Sequence, residues 1–65
     1  MKKTYLLPRA YNLRTGERVK MQDLTGARLQ LHQQALADDK ARQFAESMTR
    51  RTGESWMAEV IRYEA

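Results

Sequence analysis

The chain has 65 residues, with 12 Lys or Arg, 8 Asp or Glu, one His, no Cys and a net charge of +4. A chain this short buries little apolar surface, and the lack of Cys with a single His excludes both disulfides and a structural zinc site as added stabilisation. We therefore expect a partner molecule, which a second copy of the chain could provide.

Composition also predicts where the protein works. The hydrophobic content of 42% is too high for a disordered chain, and no apolar run is long enough for a membrane span or a secretory signal. We expect one domain over residues 1–65, in the cytoplasm and without a membrane partner. Residues 1–28 hold seven basic and two acidic side chains. Such a segment attracts phosphates or an acidic protein surface, or it only keeps the domain soluble.

Two strands are predicted first. Residues 5–13 alternate as a strand, and Pro8 should lie near its beginning or on an unpaired side because it lacks a backbone donor. Residues 14–17, Arg-Thr-Gly-Glu, predict a hairpin turn in which Gly takes a positive φ. Residues 18–22 then predict the return strand, and residues 24–27 a second turn or a strand end.

An amphipathic helix is predicted over residues 32–51, with a start anywhere between residues 25 and 33. At 100° per residue, one apolar stripe faces the core. Arg50 and Arg51 suit the negative end of the helix dipole, and Gly53 suits the left-handed residue after the helix. The predicted stripe consists of Leu36, Ala37, Ala41, Phe44 and Met48.

Residues 55–64 predict a last strand with apolar side chains on both faces. One face packs on the helix and takes Trp56 into the core. A single helix cannot cover the second face, so we predict an apolar interface there, for a protein partner in preference to stacked bases. This interface face consists of Met57, Ile61 and Tyr63.

The order strand–strand–helix–strand predicts an α+β fold of ββαβ type, in which one helix packs on a small three-stranded antiparallel or mixed sheet of order 2-1-3. The last strand then runs parallel to the second, so the turns at residues 14–17 and 51–54 lie at the same end of the sheet. Both turns read Arg-Thr-Gly-Glu. Their convergence predicts a basic edge that binds phosphate or an acidic partner. Its members are Arg14, Arg18, Lys20, Arg50 and Arg51. The alternative is two ordinary turns with solvated arginines, for which Glu17 and Glu54 are local partners.

Nothing in the sequence predicts catalysis. His32 is the only imidazole and falls off the apolar stripe, so we expect an exposed side chain. Asp38 and Asp39 are adjacent on the helix and project about 100° apart, so they cannot form a facing carboxylate pair. Ser47 and Ser55 have no nearby base. We expect no catalytic residue, no metal, no cofactor and no small-molecule substrate.

In size, in its lack of cysteine and in a strand–helix plan that ends Arg51-Thr52-Gly53-Glu54-Ser55-Trp56, the whole chain resembles the small accessory proteins of bacteriophages and other mobile elements. That class includes inhibitors of host defence such as anti-CRISPR proteins. The resemblance implies a non-enzymatic protein that occupies a surface of a host protein or nucleoprotein complex, and it assigns no functional residue. Two alternatives stay open: a small nucleic-acid-binding domain that contacts phosphates through the basic edge, and a homodimer.

Overall fold

The computed structural model describes residues 2–21 and 28–65 and confirms the α+β class, with one helix packed on an antiparallel sheet. The sheet has four strands and not the three predicted. The predicted turn at residues 24–27, and the end of the predicted return strand at Gln22, lie outside the described residues. The elements are β1 (Thr4–Asn12), β2 (Arg18–Lys20), β3 (Leu29–Gln30), a short 3-10 helix (Leu31–Gln33), α1 (Gln34–Thr52) and β4 (Trp56–Glu64).

Strand β1 is the centre of the sheet. Strand β4 pairs antiparallel along one whole edge of β1, from Thr4 opposite Glu64 to Asn12 opposite Trp56. The other edge is shared, because β2 pairs with residues 9–11 of β1 and β3 pairs with residues 5 and 6. The third predicted strand corresponds to β4. The predicted order 2-1-3 is therefore confirmed as β2-β1-β4, with β2 and β4 running in the same direction on opposite sides of β1.

Pro8 lies beside the gap between the pairings of β2 and β3 with β1. Its carbonyl accepts a hydrogen bond from the Met21 N–H at 3.1 Å, so its nitrogen faces the same edge of β1 and has no hydrogen to donate. The ladder is interrupted opposite this position, between the β2 pairing at Arg9 and the β3 pairing at Leu6. Pro8 thus lies in the middle of β1 and not near its beginning, and the side that faces its nitrogen is bonded only through its carbonyl.

Helix α1 packs on the sheet through small side chains. Its buried residues are Ala37, Ala41 and Ala45, which are spaced one turn apart and let the helix backbone approach the strands closely. The predicted stripe is wrong at Leu36, which is 44% exposed. Because the alanines form the centre of the contact, the helix is rotated relative to the predicted orientation and Leu36 turns outward.

The core is thin and lies between α1 and one face of the sheet. Its buried apolar residues are Leu6, Ala10 and the three helix alanines. Trp56, predicted to be a core residue, is only half-buried at the edge, where its indole Nε1 donates to Thr52 Oγ1 at 2.9 Å. The chain exposes 4901 Å², whereas area scaling predicts about 4,300 Å² for this mass. The large apolar side chains that are exposed among the described residues are Leu13, Leu31, Leu36 and Met57.

Candidate binding surface

The sheet face opposite α1, which we call the open face, has no described element packed on it. Side chains alternate across a pleated sheet, so one residue in two of β1 and β4 points to this side. The register places four cross-strand pairs of β1 and β4 there. Residues of β2, one residue of β3 and the residue before β3 flank these pairs. The open face consists of Tyr5, Leu7, Arg9, Tyr11, Arg18, Lys20, Arg28, Gln30, Met57, Glu59, Ile61 and Tyr63.

Apolar and aromatic pairs cross the open face from β1 to β4. Tyr5 lies opposite Tyr63, with ring centroids 5.8 Å apart, and Leu7 lies opposite Ile61. These four side chains are half-buried, although none touches the helix side of the sheet. Met57 is 54% exposed at the end of the row. The three residues of the predicted apolar interface therefore share one uncovered face, joined by residues of β1.

A central ion-pair network interrupts this apolar surface. Arg9 Nε donates to Glu59 Oε2 at 2.9 Å, and an Nη of Arg9 lies 2.7 Å from the same oxygen. Arg18 Nε lies 3.7 Å from that oxygen as well. Because two guanidinium groups share one carboxylate, positive charge is left over. The open face as a whole carries Arg9, Arg18, Lys20 and Arg28 against the single carboxylate of Glu59.

Two of these cations lie over tyrosine rings. The guanidinium carbon of Arg18 is 4.8 Å from the centroid of the Tyr11 ring, and that of Arg28 is 5.2 Å from the Tyr5 ring. Both distances are typical of cation–π contacts. The open face therefore presents aromatic rings that already hold arginines on their surface.

The two Arg-Thr-Gly-Glu turns lie at the same end of the sheet, where the Leu13 N–H donates to the Ser55 carbonyl at 3.1 Å. Their backbones match. Gly16 has φ 78° and donates to the Asn12 carbonyl, while Gly53 has φ 74° and donates to the Thr49 carbonyl. In each turn the Glu N–H also donates to the Thr hydroxyl at 3.2 Å. One tetrapeptide thus closes a hairpin and also ends a helix with the same local hydrogen bonds.

Asn12 joins the two turns. It is 1% exposed, and its Oδ1 accepts from the backbone N–H groups of Arg14 (2.8 Å) and Thr15 (3.1 Å). Its Nδ2 donates to one oxygen of Glu54, while the Arg14 guanidinium binds the other. The hydrogen bond from Asn12, followed by that from Arg14, lowers the pKa of Glu54 below its ordinary value. The two turns are therefore held together by the side chains of Asn12, Arg14 and Glu54, which we call the turn cluster.

The five cations of the predicted basic edge are divided among three places. Arg14 binds Glu54 in the turn cluster, and Arg18 and Lys20 belong to the open face. Arg50 and Arg51 are exposed in the last turn of α1, where an Nη of Arg51 donates to Met48 Sδ at 3.0 Å. A phosphate-binding role for these residues stays a prediction. The cations that share a surface with tyrosines are those of the open face.

Seven residues of the open face were assigned neither to the apolar interface nor to the basic edge from sequence. Four lie on β1. The sequence shows that side chains of β1 alternate between two faces, but it does not show which face lies beside the uncovered face of β4. The register supplies that information, since Tyr11 is opposite Met57. Arg28 has no local signal at all, because its contact with Tyr5 is tertiary. The residues missed are Tyr5, Leu7, Arg9, Tyr11, Arg28, Gln30 and Glu59.

Other kinds of site are not seen in residues 2–21 and 28–65. No group of three or more His, Asp or Glu side chains there could hold a metal ion. Within the same residues, no helix has the length and apolar character needed to cross a membrane. His32 is exposed.

Comparison with known proteins adds no relative: no protein-family model, curated protein or solved structure matches the chain. Function is therefore inferred from the surfaces described above.

Proposed function

We propose that this protein is a non-enzymatic binding domain whose open face occupies an acidic surface on a larger protein or nucleoprotein complex. The observation that supports the proposal is a whole sheet face of tyrosine, aliphatic and arginine side chains with no described cover. The opposite face already holds α1, and residues 2–21 and 28–65 contain no second α-helix. A partner is the remaining way to remove this apolar surface from water.

The composition of the open face favours a protein partner. Protein interfaces are enriched in Tyr, Met and Arg, and these three residue types make up seven of its twelve members. The excess of cations over the single carboxylate of Glu59 favours an acidic surface on the other side. Arg9 and Arg18 are held in place by Glu59, which lowers the entropy that they lose on binding.

A finer proposal concerns the partner's origin. The chain's small size and cysteine-free composition resemble those of phage and mobile-element accessory proteins, and on that resemblance we propose that the partner is a host protein or nucleoprotein that the domain inhibits. This part of the proposal is supported by the resemblance and by nothing in the geometry.

A matched pair of variants tests the open face. Met57→Glu places a carboxylate on the open face, whereas Leu36→Glu places one on an exposed apolar position of α1. Tagged wild-type and Leu36→Glu proteins should retain the same stoichiometric partner from bacterial lysates, and Met57→Glu should lose it. Retention of the same partner by all three proteins, or no stoichiometric partner across hosts, would contradict the proposal.

A defined acidic probe gives a second readout. Titration of poly-glutamate into ¹⁵N-labelled protein at low salt should shift backbone resonances of the open face before those of α1. Met57→Glu should weaken this binding more than Leu36→Glu, although both change the net charge equally. Shifts confined to the end of α1, near Arg50 and Arg51, would place the acidic site elsewhere.

The second candidate is binding of single-stranded nucleic acid on the same face, favoured by the arginines over Tyr5 and Tyr11. Aromatic rings beside cations stack bases and contact phosphates. A labelled oligothymidylate should then bind at low salt, dissociate steeply as salt rises, and bind more weakly to Tyr11→Ala and Arg18→Ala. If Arg14, Arg50 and Arg51 carried the binding, as the basic edge predicts, alanine at those positions would weaken it instead. No binding at low salt would exclude both versions.

A further inference from the structure

The outer edge of β4 is a second unpaired surface, distinct from the open face. In β4, the residues opposite Leu7 and Arg9 turn their backbone groups toward β1, so the alternate residues Ala58, Val60 and Arg62 turn theirs outward. No strand among residues 2–21 and 28–65 pairs with this side. The strand runs for nine residues without Pro, and its pairing with β1 has no bulge. Such an edge is a template for another strand.

An acidic groove runs beside this edge, between α1 and β4. It is an open depression of about 540 Å³, and its lining includes Ala58, Val60, Asp38, Asp39 and Arg42. Asp39 is paired with Arg42, whereas Asp38 accepts a hydrogen bond from the Gln34 side chain at 2.9 Å and pairs with no cation among the described residues. Ala58 is exposed and small, which leaves room for a long side chain above it.

Arg62 has the complementary charge. It lies on the helix side of β4, opposite Leu6, and it is exposed. Among the described residues no carboxylate pairs with it. The same strand edge therefore carries a free cation near one end and a groove with a free carboxylate near the other.

We propose that a second copy of this chain pairs antiparallel with the β4 edge, with the two-fold axis at Val60. This register places Arg62 of each copy directly opposite Ala58 of the other. Directly opposed side chains in an antiparallel pair are about 5 Å apart at Cβ, and an arginine side chain spans more than that distance. Each Arg62 guanidinium then enters the acidic groove of the other copy and reaches Asp38.

Neighbouring registers are disfavoured by charge. An axis at Glu59 would place the two Glu59 side chains opposite each other, and an axis at Arg62 would do the same with two arginines. An axis at Ile61 would place Glu64 opposite Ala58 and thus at the acidic groove. Like charges directly opposed across strands are destabilising. Of the registers centred on residues 59–62, only the one centred on Val60 places a cation opposite Ala58. The register centred on Ile61 brings Arg62 opposite Val60, but it also places Glu64 at the same groove.

The assembly would change the binding surface as well. A two-fold axis perpendicular to the sheet keeps both α1 helices on one side and both open faces on the other. The result is a continuous sheet six strands wide, with six tyrosines and eight cations on its open side. The dimer does not depend on the open face having a partner, so the two proposals can fail separately.

Sedimentation analysis from low micromolar to submillimolar concentration tests the dimer. Wild-type protein should be a concentration-dependent dimer, and Arg62→Glu should weaken it by about tenfold because two symmetric contacts become repulsive. Asp38→Arg should weaken it similarly, and the double variant Arg62→Glu/Asp38→Arg should restore it. Lys2→Glu is the matched control: it makes the same charge change outside the strands and should leave the dimer intact.

Three outcomes would overturn the proposal. A monomer at every concentration, with a folded spectrum by circular dichroism, removes the dimer. Equal behaviour of Arg62→Glu and Lys2→Glu, or failure of the double variant to restore the dimer, removes the Val60 register. A dimer that is dissociated by Met57→Glu but not by Arg62→Glu shows pairing through the open faces instead.

Discussion

The two faces of the sheet are built by the same strands and are chemically opposite. The covered face has one large buried aliphatic side chain, Leu6, and otherwise packs alanines of α1 against Ala10 and its neighbours. The open face, on the side of the sheet away from α1, carries tyrosines, arginines and the ion pair of Arg9 with Glu59. Small side chains allow close helix–sheet packing, whereas large amphipathic side chains suit a surface that meets another molecule. Under the proposed function, stability and recognition fall to alternate residues of one strand.

The sharpest test of this division uses two adjacent leucines of β1. Leu6 is 2% exposed on the covered face, and Leu7 is half-buried on the open face. Leu6→Ala should destabilise the fold by about 2–5 kcal/mol, because it leaves a cavity under α1. Leu7→Ala should cost only about 1 kcal/mol, because a half-exposed side chain loses less burial. Urea unfolding, followed by circular dichroism, measures both.

Concentration matters for the leucine comparison. The two variants should be compared at the lowest protein concentration that gives a signal, where self-association contributes least. Equal losses for Leu6→Ala and Leu7→Ala would mean that the open face is packed as deeply as the covered face, and the division between the faces would not hold.

The covered face ends in the buried polar residue Asn12. The second prediction concerns the contribution of Asn12 to the stability of the fold. Asn12→Ala removes the acceptor for two turn N–H groups and the donor to Glu54, so we expect a loss of about 1–3 kcal/mol. Gln43→Ala, which removes an exposed amide from α1, is the control and should change little. A loss no greater than the control's would mean that the turn cluster forms without Asn12.

Acid should destabilise the end of the sheet that holds Asn12, Arg14 and Glu54. Asn12 and Arg14 hold the pKa of Glu54 below its unfolded value, so this carboxylate stabilises the fold above the unfolded pKa. That contribution is lost as pH falls through the lower, folded pKa. The stability gap between wild type and Glu54→Gln, measured by urea unfolding, should therefore close as pH falls from neutral. Glu17→Gln, at the matching position of the first turn, should show no such gap; a gap of equal size would contradict the assignment to Glu54.

The sequence was sufficient to predict features that depend on the alternation of side chains along strands and on helical periodicity. It was insufficient to predict which residues contact each other. The patterns of β1 and β4 predicted the strand order and the uncovered face with Met57. Leu36 was misplaced because alanine is compatible with either side of a helix, so the hydrophobic pattern did not show that Ala37, Ala41 and Ala45 form the contact. The two-residue strand β3 is too short for any periodic signal.

The turn cluster shows the same limit. The topology predicted that residues 14–17 and 51–54 meet, but it predicted converging arginines. The structure instead pairs Arg14 of one turn with Glu54 of the other, through an amide from Asn12 that no motif marks. The same tetrapeptide occurs in both turns, so neither copy alone shows which charged residues pair. The pairing depends on how the side chains of the two turns are arranged at the end of the sheet.

The smallest stability effect is expected where the open face is most exposed. Met57→Glu should change the free energy of unfolding by about 0.5 kcal/mol or less, because Met57 is 54% exposed and lies on the face of the sheet opposite α1. Thermal unfolding measures the shift, and the ¹⁵N spectrum confirms the fold. A loss approaching that of Leu6→Ala would make Met57 a core residue and remove the open face as a separate surface. A neutral effect on stability, together with lost binding, would show that residues of this face can vary with the partner while the alanine-packed face alone maintains the fold.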